Sequence, residues 1–197
     1  MITPDRSPLD VVVLAGAAIR GGADIVQLRH KGLARGELLE LARKLRDLTR
    51  AAGALFVVND HLDIAMLSEA DGVHLGPDDL RVASARRIAR ESLLIGASAA
   101  TPEAAVAAVA EGADYLGSGP AFATPIKTEK RVIGPAGIAR VAAAVSVPVF
   151  AIGGIDASNV AQLTALGLRR ACVIRAVADA ADPEAAARSL RAMLDPR

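Results

Sequence analysis

Short apolar runs alternate with helical stretches along the whole sequence, and this alternation restricts the fold more than any other feature. Seven runs, each four to six residues long, predict β-strands. They are Asp24–Leu28, Leu55–Val58, Gly72–Leu75, Leu93–Gly96, Asp114–Gly117, Val147–Ile152 and Arg170–Ile174. An eighth, short strand is predicted near Met1–Thr3, ahead of a helix from Ser7 to Ile19. The chain therefore reads as a series of strand–helix units.

The stretches between these runs carry the signals of helices. Four leucines recur at intervals of three and four residues and would form one apolar helix face. They are Leu38, Leu41, Leu45 and Leu48. Thr101 and Asp182 each precede a Pro-Glu pair, which places a capping side chain before a helix and Pro in its first turn.

Eight such units with nearly continuous apolar strands predict a parallel sheet that is covered by helices and closed into a (β/α)8 TIM barrel. Residues 1–197 would form a single domain, because this length suits one hydrophobic core and no linker or low-complexity tract divides the chain. Periodicity alone leaves a doubly wound open sheet as the alternative.

Composition excludes several classes of function. Hydrophobic residues make up 52% of the chain, aromatic residues only 2%, and the net charge is +1, so we expect neither a nucleic-acid partner nor an anionic membrane. No apolar run is long enough to span a membrane, and the N-terminus does not resemble a signal peptide. Cys172 is the single cysteine, so no internal disulfide can form. We therefore expect a cytoplasmic protein.

Two neighbouring predicted strands end at carboxylates. Asp60 follows the run that ends at Val58, and Asp79 follows the run that ends at Leu75. In a parallel barrel the carboxyl ends of the strands share one rim, so the two side chains should lie close together. Mg²⁺ typically takes one or two protein carboxylates and completes its shell with water and phosphate oxygens. We interpret this pair as magnesium ligands, although each acid alone is more often a solvated loop residue or a helix cap.

Three cations lie at the same predicted rim. Arg29 and Lys31 stand two residues apart at a strand end, and Lys127 lies in the loop after the run that ends at Gly117. Together with a metal they could hold a pyrophosphate, with Arg as a bidentate fork and Lys as a point charge. Each of them taken singly would be read as an exposed loop cation.

Other polar groups follow the same strand ends. Gln27 and His74 lie within apolar strands, where an unpaired polar group is costly, so each is either a satisfied core residue or part of a site. Ser98 ends another predicted strand. Gly153-Gly154 precede a helix predicted from Ala157, and amides at a helix N-terminus bind phosphate readily. A second phosphate pocket is therefore expected after the last two strands, where barrels often have one.

The ordered set of motifs closely resembles the thiamine phosphate synthase (thiamine-phosphate pyrophosphorylase) family over nearly the whole chain. The matching segments are "QLRHK", "VNDHLDIA", "ADGVHLGPDD", "IGAS", "GADYLGSGPAFATPIK" and "VPVFAIGGI". The resemblance implies a transferase on a TIM barrel that uses Mg²⁺ to join hydroxymethylpyrimidine diphosphate to thiazole phosphate, with release of pyrophosphate.

The resemblance also implies roles for individual residues. The diphosphate would be held by Arg29, Lys31, Asn59 and Lys127, and the metal by Asp60 and Asp79. Gln27 and His74 would lie beside the aminopyrimidine, with Ser98 and Thr124 completing that pocket. The thiazole phosphate would meet backbone groups of Gly154, Ile174 and Arg175. The implied reaction is a dissociative substitution that needs no side-chain nucleophile.

The chain departs from the family pattern at several positions. His61 stands where Arg is usual, Ile126 where Thr is usual, Pro77 where Gln is common, and Arg175 where Ser is usual. Two alternatives are a TenI-like thiazole tautomerase, which would have His at the position of Ala100, and a non-catalytic barrel that binds thiamine phosphate. The sequence leaves association into a homo-oligomer open.

Overall fold

The computed structural model describes residues 1–89, 91, 93–123 and 131–195. Seven strands lie in this part of the chain, and the predicted runs coincide with them to within about two residues at most ends. They are β1 (Ile25–Leu28), β2 (Leu55–Asn59), β3 (Gly72–Leu75), β4 (Leu94–Ser98), β5 (Tyr115–Ser118), β6 (Val149–Ile152) and β7 (Ala171–Cys172). The helices are α1 (Pro8–Arg20), α2 (Arg35–Ala52), α3 (Leu62–Leu67), α4 (Val82–Ala89), α5 (Pro102–Ala110), α6 (Gly134–Ala143), α7 (Ala161–Thr164), α8 (Arg175–Ala178) and α9 (Pro183–Leu194).

The strands are all parallel and follow one another in the order β1 to β7 around one sheet. The predicted first strand is a single parallel bridge between Ile2 and Gln27. Ile2 also donates its N–H to the carbonyl of Val173, just after β7, at 3.0 Å. The segment Met1–Thr3 therefore joins the last strand to the first. The predicted parallel barrel is confirmed, and the open doubly wound sheet is wrong.

Alternate strand residues pack outward against the helices. Five outward-facing residues of the first three strands are at most 1% exposed: Val26, Leu28, Phe56, Val58 and Val73. They belong to the same hydrophobic cluster as Leu41 and Leu45 of α2. The predicted leucine face of α2 is thus the surface that covers the sheet, with only Leu48 at its partly buried edge. Because side chains alternate along a strand, the intervening residues face the interior of the barrel.

The helix starts that the sequence predicts are also found. The Thr101 hydroxyl accepts the N–H of Ala104, and the Asp182 carboxylate accepts the N–H of Ala185. The helix predicted from Ala157 is wrong: residues 157–160 form turns, and α7 is only four residues long. Within the described residues no helix combines the length and the apolar character that a membrane crossing requires.

Two carboxylates, of which Asp71 is partly exposed and Asp114 more so, connect strands to covering helices at the opposite end of the barrel. Asp71, just before β3, accepts the N–H of Phe56 at 2.7 Å and an N–H of Arg46 at 2.7 Å. Asp114, just before β5, accepts the N–H of Ile95 at 2.7 Å and pairs with Arg86. Each acid satisfies a strand amide and fixes an arginine of a covering helix. We assign this end of the barrel to stability, because chemistry in such barrels gathers at the carboxyl ends of the strands.

Candidate functional site

Arg29 and Lys31 follow β1 and are held in place by two residues near the N-terminus, Thr3 and Asp5. The buried Thr3 hydroxyl accepts the N–H of Arg29 at 2.9 Å and donates to the carbonyl of Arg29 at 3.0 Å. One carboxylate oxygen of Asp5 accepts the N–H of Lys31 at 2.8 Å, and the other lies 3.3 Å from Arg29 Nη1. The Arg29 side chain is only 17% exposed. The loop that carries both cations is therefore fixed by two residues that the sequence did not single out.

Asp60 stands at the end of β2 in an uncommon backbone conformation. Its φ is +66°, in the left-handed region that few non-glycine residues adopt, and its N–H donates to the carbonyl of His74 at 2.8 Å. Such strain persists where the surrounding structure holds a residue in one functional orientation. The turn directs the Asp60 side chain to the mouth of the barrel.

The carboxyl groups of Asp60 and Asp79 lie within hydrogen-bonding reach of each other. Burial, together with the hydrogen bond and the negative charge of Asp79, raises the pKa of Asp60 to about 6, against the opposing charges of Lys31 and Arg29. Asp79 is oriented by the N–H of Gly76, which donates to its Oδ2 at 2.7 Å. Two acids and two cations from three strand ends thus meet at one place.

This pair of acids suits a hard divalent cation. Two partly buried carboxylates repel each other when both are ionised, and a cation bound between them would remove that cost. Within the described residues no group of three or more His, Cys, Asp or Glu side chains could form a complete protein cage. The residues therefore fit an ion of the Mg²⁺ type, which takes few protein ligands and completes its shell with water and phosphate oxygens.

The interior wall beside these charges is polar and aromatic. Gln27 is 7% exposed, and His74 Nε2 lies 3.0 Å from Ser98 Oγ. The His74 ring is tilted by 37° against Tyr115, with the ring centroids 5.6 Å apart. A Cβ on Gly96 would overlap the Tyr115 ring, so this glycine makes room for it. The wall offers hydrogen-bonding groups and a flat ring surface, as a planar heterocycle requires.

A cavity of about 400 Å³ opens beside the charged residues. It lies between the loop after β1 and the loop after β2, and its wall includes Arg29, Lys31, Asn59 and Asp60. Asn59 is the last residue of β2 and is paired in register with His74. The predicted diphosphate residues within the described chain are thus brought together around one space.

The structure accounts for Gly153 and Gly154 by packing. Both have positive φ, at +98° and +67°, and a Cβ on either would press against the segment that includes Pro120 and Phe122. The Gly154 carbonyl accepts the side-chain amide of Asn159 at 2.8 Å. The glycine pair therefore lets two loops pass closely, and the helix that follows begins at Ala161 rather than at Ala157 as predicted.

The remaining predicted residues lie at other strand ends or outside the described residues. Ile174 is the N-cap of α8 and Arg175 its first residue, both directly after β7 and exposed or partly exposed. Thr124 and Lys127 fall outside the described residues, as does Ile126. The structure therefore brings together the described residues predicted to bind the diphosphate and the metal, whereas Ile174 and Arg175 lie at the end of another strand.

Four contributing residues escaped the sequence prediction. Thr3 and Asp5 act through contacts that span more than twenty positions, and Arg35 through a contact of similar span with His61. Tyr115 looks like an ordinary core residue in its apolar strand. Only the alternation of β5, which turns Tyr115 inward while Leu116 is fully buried outward, could have found it.

Comparison with known proteins agrees with this geometry. A family model described as thiamine monophosphate synthase matches residues 1–177. The thiamine-phosphate synthase of Methanoculleus marisnigri is 51% identical over 179 residues, which are 90% of this chain and 85% of that protein. That of Chlorobium luteolum is 46% identical over 192 residues, covering 97% and 89%. The solved thiamine phosphate pyrophosphorylase from Pyrococcus furiosus superposes with a TM-score of 0.90 at 39% identity, covering 98% of this chain and 93% of that one.

Proposed function

Because the chain belongs to the thiamine monophosphate synthase family, we propose that it joins hydroxymethylpyrimidine diphosphate to thiazole phosphate and releases pyrophosphate. The observation that carries this reading is the meeting of Asp60 and Asp79 with Arg29 and Lys31 at the mouth of the barrel. A reaction that releases a diphosphate needs this combination of a metal site and cations. A hydrolysis or isomerisation without a charged leaving group does not need it.

The described charged residues have distinct roles in this proposal. Arg29 and Lys31 hold the diphosphate, and Asn59 donates a hydrogen bond from the neighbouring strand end. Asp60 and Asp79 would hold Mg²⁺, which would supply positive charge to neutralise part of the diphosphate charge. Lys127 would add a third cation; it lies outside the described residues.

The interior residues position the pyrimidine. Gln27 and His74 face the barrel interior, where they can hydrogen-bond to the ring nitrogens and the exocyclic amine, and Ser98 orients His74. Tyr115 offers the ring surface beside them, and Thr124 would complete this pocket. The thiazole phosphate would meet backbone groups of Gly154 and Ile174, with Arg175 as a nearby cation.

The reaction that suits this site is a dissociative substitution. The bond between the pyrimidine methylene carbon and the diphosphate oxygen breaks first, and its electron pair leaves with pyrophosphate. Arg29 and Lys31 stabilise the charge that grows on that oxygen. The thiazole nitrogen then forms the new bond to the methylene carbon. No side chain forms a covalent intermediate, and the residues act by binding and alignment.

We also propose that the protein acts in the cytoplasm, because the single Cys172 is a free thiol, which suits a reducing compartment. Association into a homo-oligomer stays a prediction.

One assay tests the proposed function. The purified protein is given both substrates, with Mg²⁺ or with a chelator, and pyrophosphate release is measured. We expect release that depends on Mg²⁺ and a loss of at least about 100-fold in kcat for Asp60→Asn, since a group that stabilises developing charge is removed. Asp47→Asn is the matched control, because Asp47 is exposed on α2. Full Mg²⁺-dependent activity in Asp60→Asn would refute the metal assignment.

A further inference from the structure

The cavity beside Arg29 and Asp60 is lined by residues in addition to those assigned to the diphosphate. They include Arg35 at the start of α2 and His61 just before α3, and we call the part of the cavity that these two residues line together with Lys31 its outer half. Its volume of about 400 Å³ is larger than a diphosphate group. Neither Arg35 nor His61 has a role in the proposed reaction, so this outer half of the cavity needs its own explanation.

Arg35 and His61 are held together by a directed contact. Arg35 Nη1 lies 2.9 Å from His61 Nδ1. Since a guanidinium group only donates hydrogen bonds, Nδ1 accepts, and the proton of a neutral ring is placed on Nε2. Arg35 also forms an ion pair with Asp63, in the first turn of α3. The guanidinium group is thereby fixed at the cavity wall with N–H donors to spare.

The outer half of the cavity offers mainly donors and positive charge. Within the described part of the chain the Lys31 ammonium group makes no ion pair. His30 is not available, because its Nδ1 accepts the N–H of Gly32 and its Nε2 contacts the carbonyl of Arg6 at 3.0 Å. The remaining donors are Lys31, Arg35 and the His61 ring N–H; Asp63 partly balances the charge of Arg35, and Asp60 lines the same cavity toward Arg29 and Lys31. Such a wall selects for anions with several oxygens.

We propose that Lys31, Arg35 and His61 form an outer subsite for inorganic pyrophosphate, which occupies it after leaving the substrate and before reaching solvent. This inference rests on the proposed function. The pyrimidine lies toward Gln27 and His74 in the barrel interior, so the leaving group at Arg29 faces the outer half of the cavity. The subsite separates the departed pyrophosphate from the carbon that it left, which opposes the reverse reaction.

A structural role for Arg35 makes a different prediction. The Arg35–Asp63 ion pair connects α2 to α3. If connecting these helices were its only role, removing either partner would weaken pyrophosphate binding equally. Arg35→Gln removes both the tie and the cation, whereas Asp63→Asn removes the tie and leaves the cation in place. Arg43→Gln is the matched control, because Arg43 pairs with Glu40 on the exposed face of the same helix.

The test uses the full chain with Mg²⁺ and pyrophosphate as the probe, by product inhibition and by calorimetry without substrates. We expect Arg35→Gln to weaken pyrophosphate binding roughly tenfold, as for loss of a charge-assisted hydrogen bond. Asp63→Asn should bind pyrophosphate as well as the original chain or more tightly, and Arg43→Gln should be unchanged. The KM for the pyrimidine diphosphate should rise less than threefold in Arg35→Gln.

Three results would overturn the outer subsite: equal losses in Arg35→Gln and Asp63→Asn, an unchanged affinity in Arg35→Gln, or an equal rise of the substrate KM. The first makes Arg35 a tie between helices, and the last places it in the substrate's own diphosphate site. Calorimetry keeps this test separate from the proposed function. Arg35-dependent pyrophosphate binding in a chain that does not turn over would refute the function and leave the subsite standing.

Discussion

Asp5 gives the sharpest test of how the loop after β1 is built. Its carboxylate makes two contacts of different kinds: a hydrogen bond from the Lys31 N–H at 2.8 Å and a longer ion pair with Arg29 at 3.3 Å. Asp5→Ala removes both contacts. Asp5→Asn removes the charge, while its amide oxygen can still accept the Lys31 N–H. The two variants therefore separate the orientation of the loop from its charge balance.

The magnitude follows from these contacts. A hydrogen bond to a charged group contributes about 1.5–3 kcal/mol, but the Asp5 side chain is 44% exposed, so solvent screening reduces this to about 1 kcal/mol. We expect Asp5→Ala to raise the KM for the pyrimidine diphosphate about fivefold, since about 1 kcal/mol corresponds to that factor. Asp5→Asn should leave this KM unchanged or lower it, because Arg29 loses a competing partner.

The assay is the initial rate of pyrophosphate release with one substrate varied and the other saturating. The KM for thiazole phosphate should not change in either variant, because the residues assigned to it follow β6 and β7. A parallel rise in both KM values would mean that the barrel mouth has collapsed as a whole. A wild-type KM in Asp5→Ala would mean that Thr3 alone holds the loop. Either result would refute the orienting role.

Three further predictions concern pH and stability. The pKa of Asp60 is raised to about 6, so the stability that its protonated form contributes is present below the ordinary pKa near 4 and is lost as the pH rises through about 6. Without Mg²⁺, the urea midpoint of the original chain should therefore fall between about pH 4 and pH 6 relative to that of Asp60→Asn. Midpoints of the two proteins that change in parallel with pH would contradict this prediction. Asp71→Ala should lower the free energy of unfolding by about 2 kcal/mol, because the buried Phe56 N–H loses its acceptor. Calorimetry should then show a Tm lower by roughly 4–8 °C. An unchanged Tm would show that another group accepts the Phe56 N–H. Gly96→Ala should lower the free energy of unfolding by about 1–3 kcal/mol and weaken pyrimidine binding, because the new methyl group would overlap the Tyr115 ring. An unchanged stability and an unchanged KM for the pyrimidine diphosphate would show that the Tyr115 ring moves freely.

The elements of the fold that the sequence predicted best are those set by local periodicity. The leucines of α2 pack against the outward-facing residues of the strands in one hydrophobic cluster, so the burial of apolar side chains decides the conformation of both elements. The meeting of Asp60 and Asp79 was predictable for a related reason. Adjacent parallel strands bring their carboxyl ends to one rim, whatever the length of the helix between them.

Contacts that depend on loop geometry were not predictable in this way. Asp5 contacts Lys31, which lies 26 positions later in the sequence, and neither the residue types nor their spacing predicts this contact. Gly153 and Gly154 suggested a phosphate loop because glycine suits both an anion site and a close crossing of loops. The structure shows the crossing, against Pro120 and Phe122, and the sequence held no information about that neighbour.

His61 shows how such a contact changes the meaning of a substitution. Judged along the chain, a histidine in place of an arginine removes a permanent positive charge from the rim. In three dimensions the Arg35 guanidinium group lies against that same histidine, delivered from the start of α2 rather than from the loop after β2. The rim therefore keeps an arginine at the mouth of the cavity, supplied by a different element. If this replacement matters for activity, Arg35→Gln and His61→Arg should offset each other when combined, with the double variant binding pyrophosphate more tightly than Arg35→Gln alone. Purely additive effects in that double-mutant cycle would show that the two positions act independently.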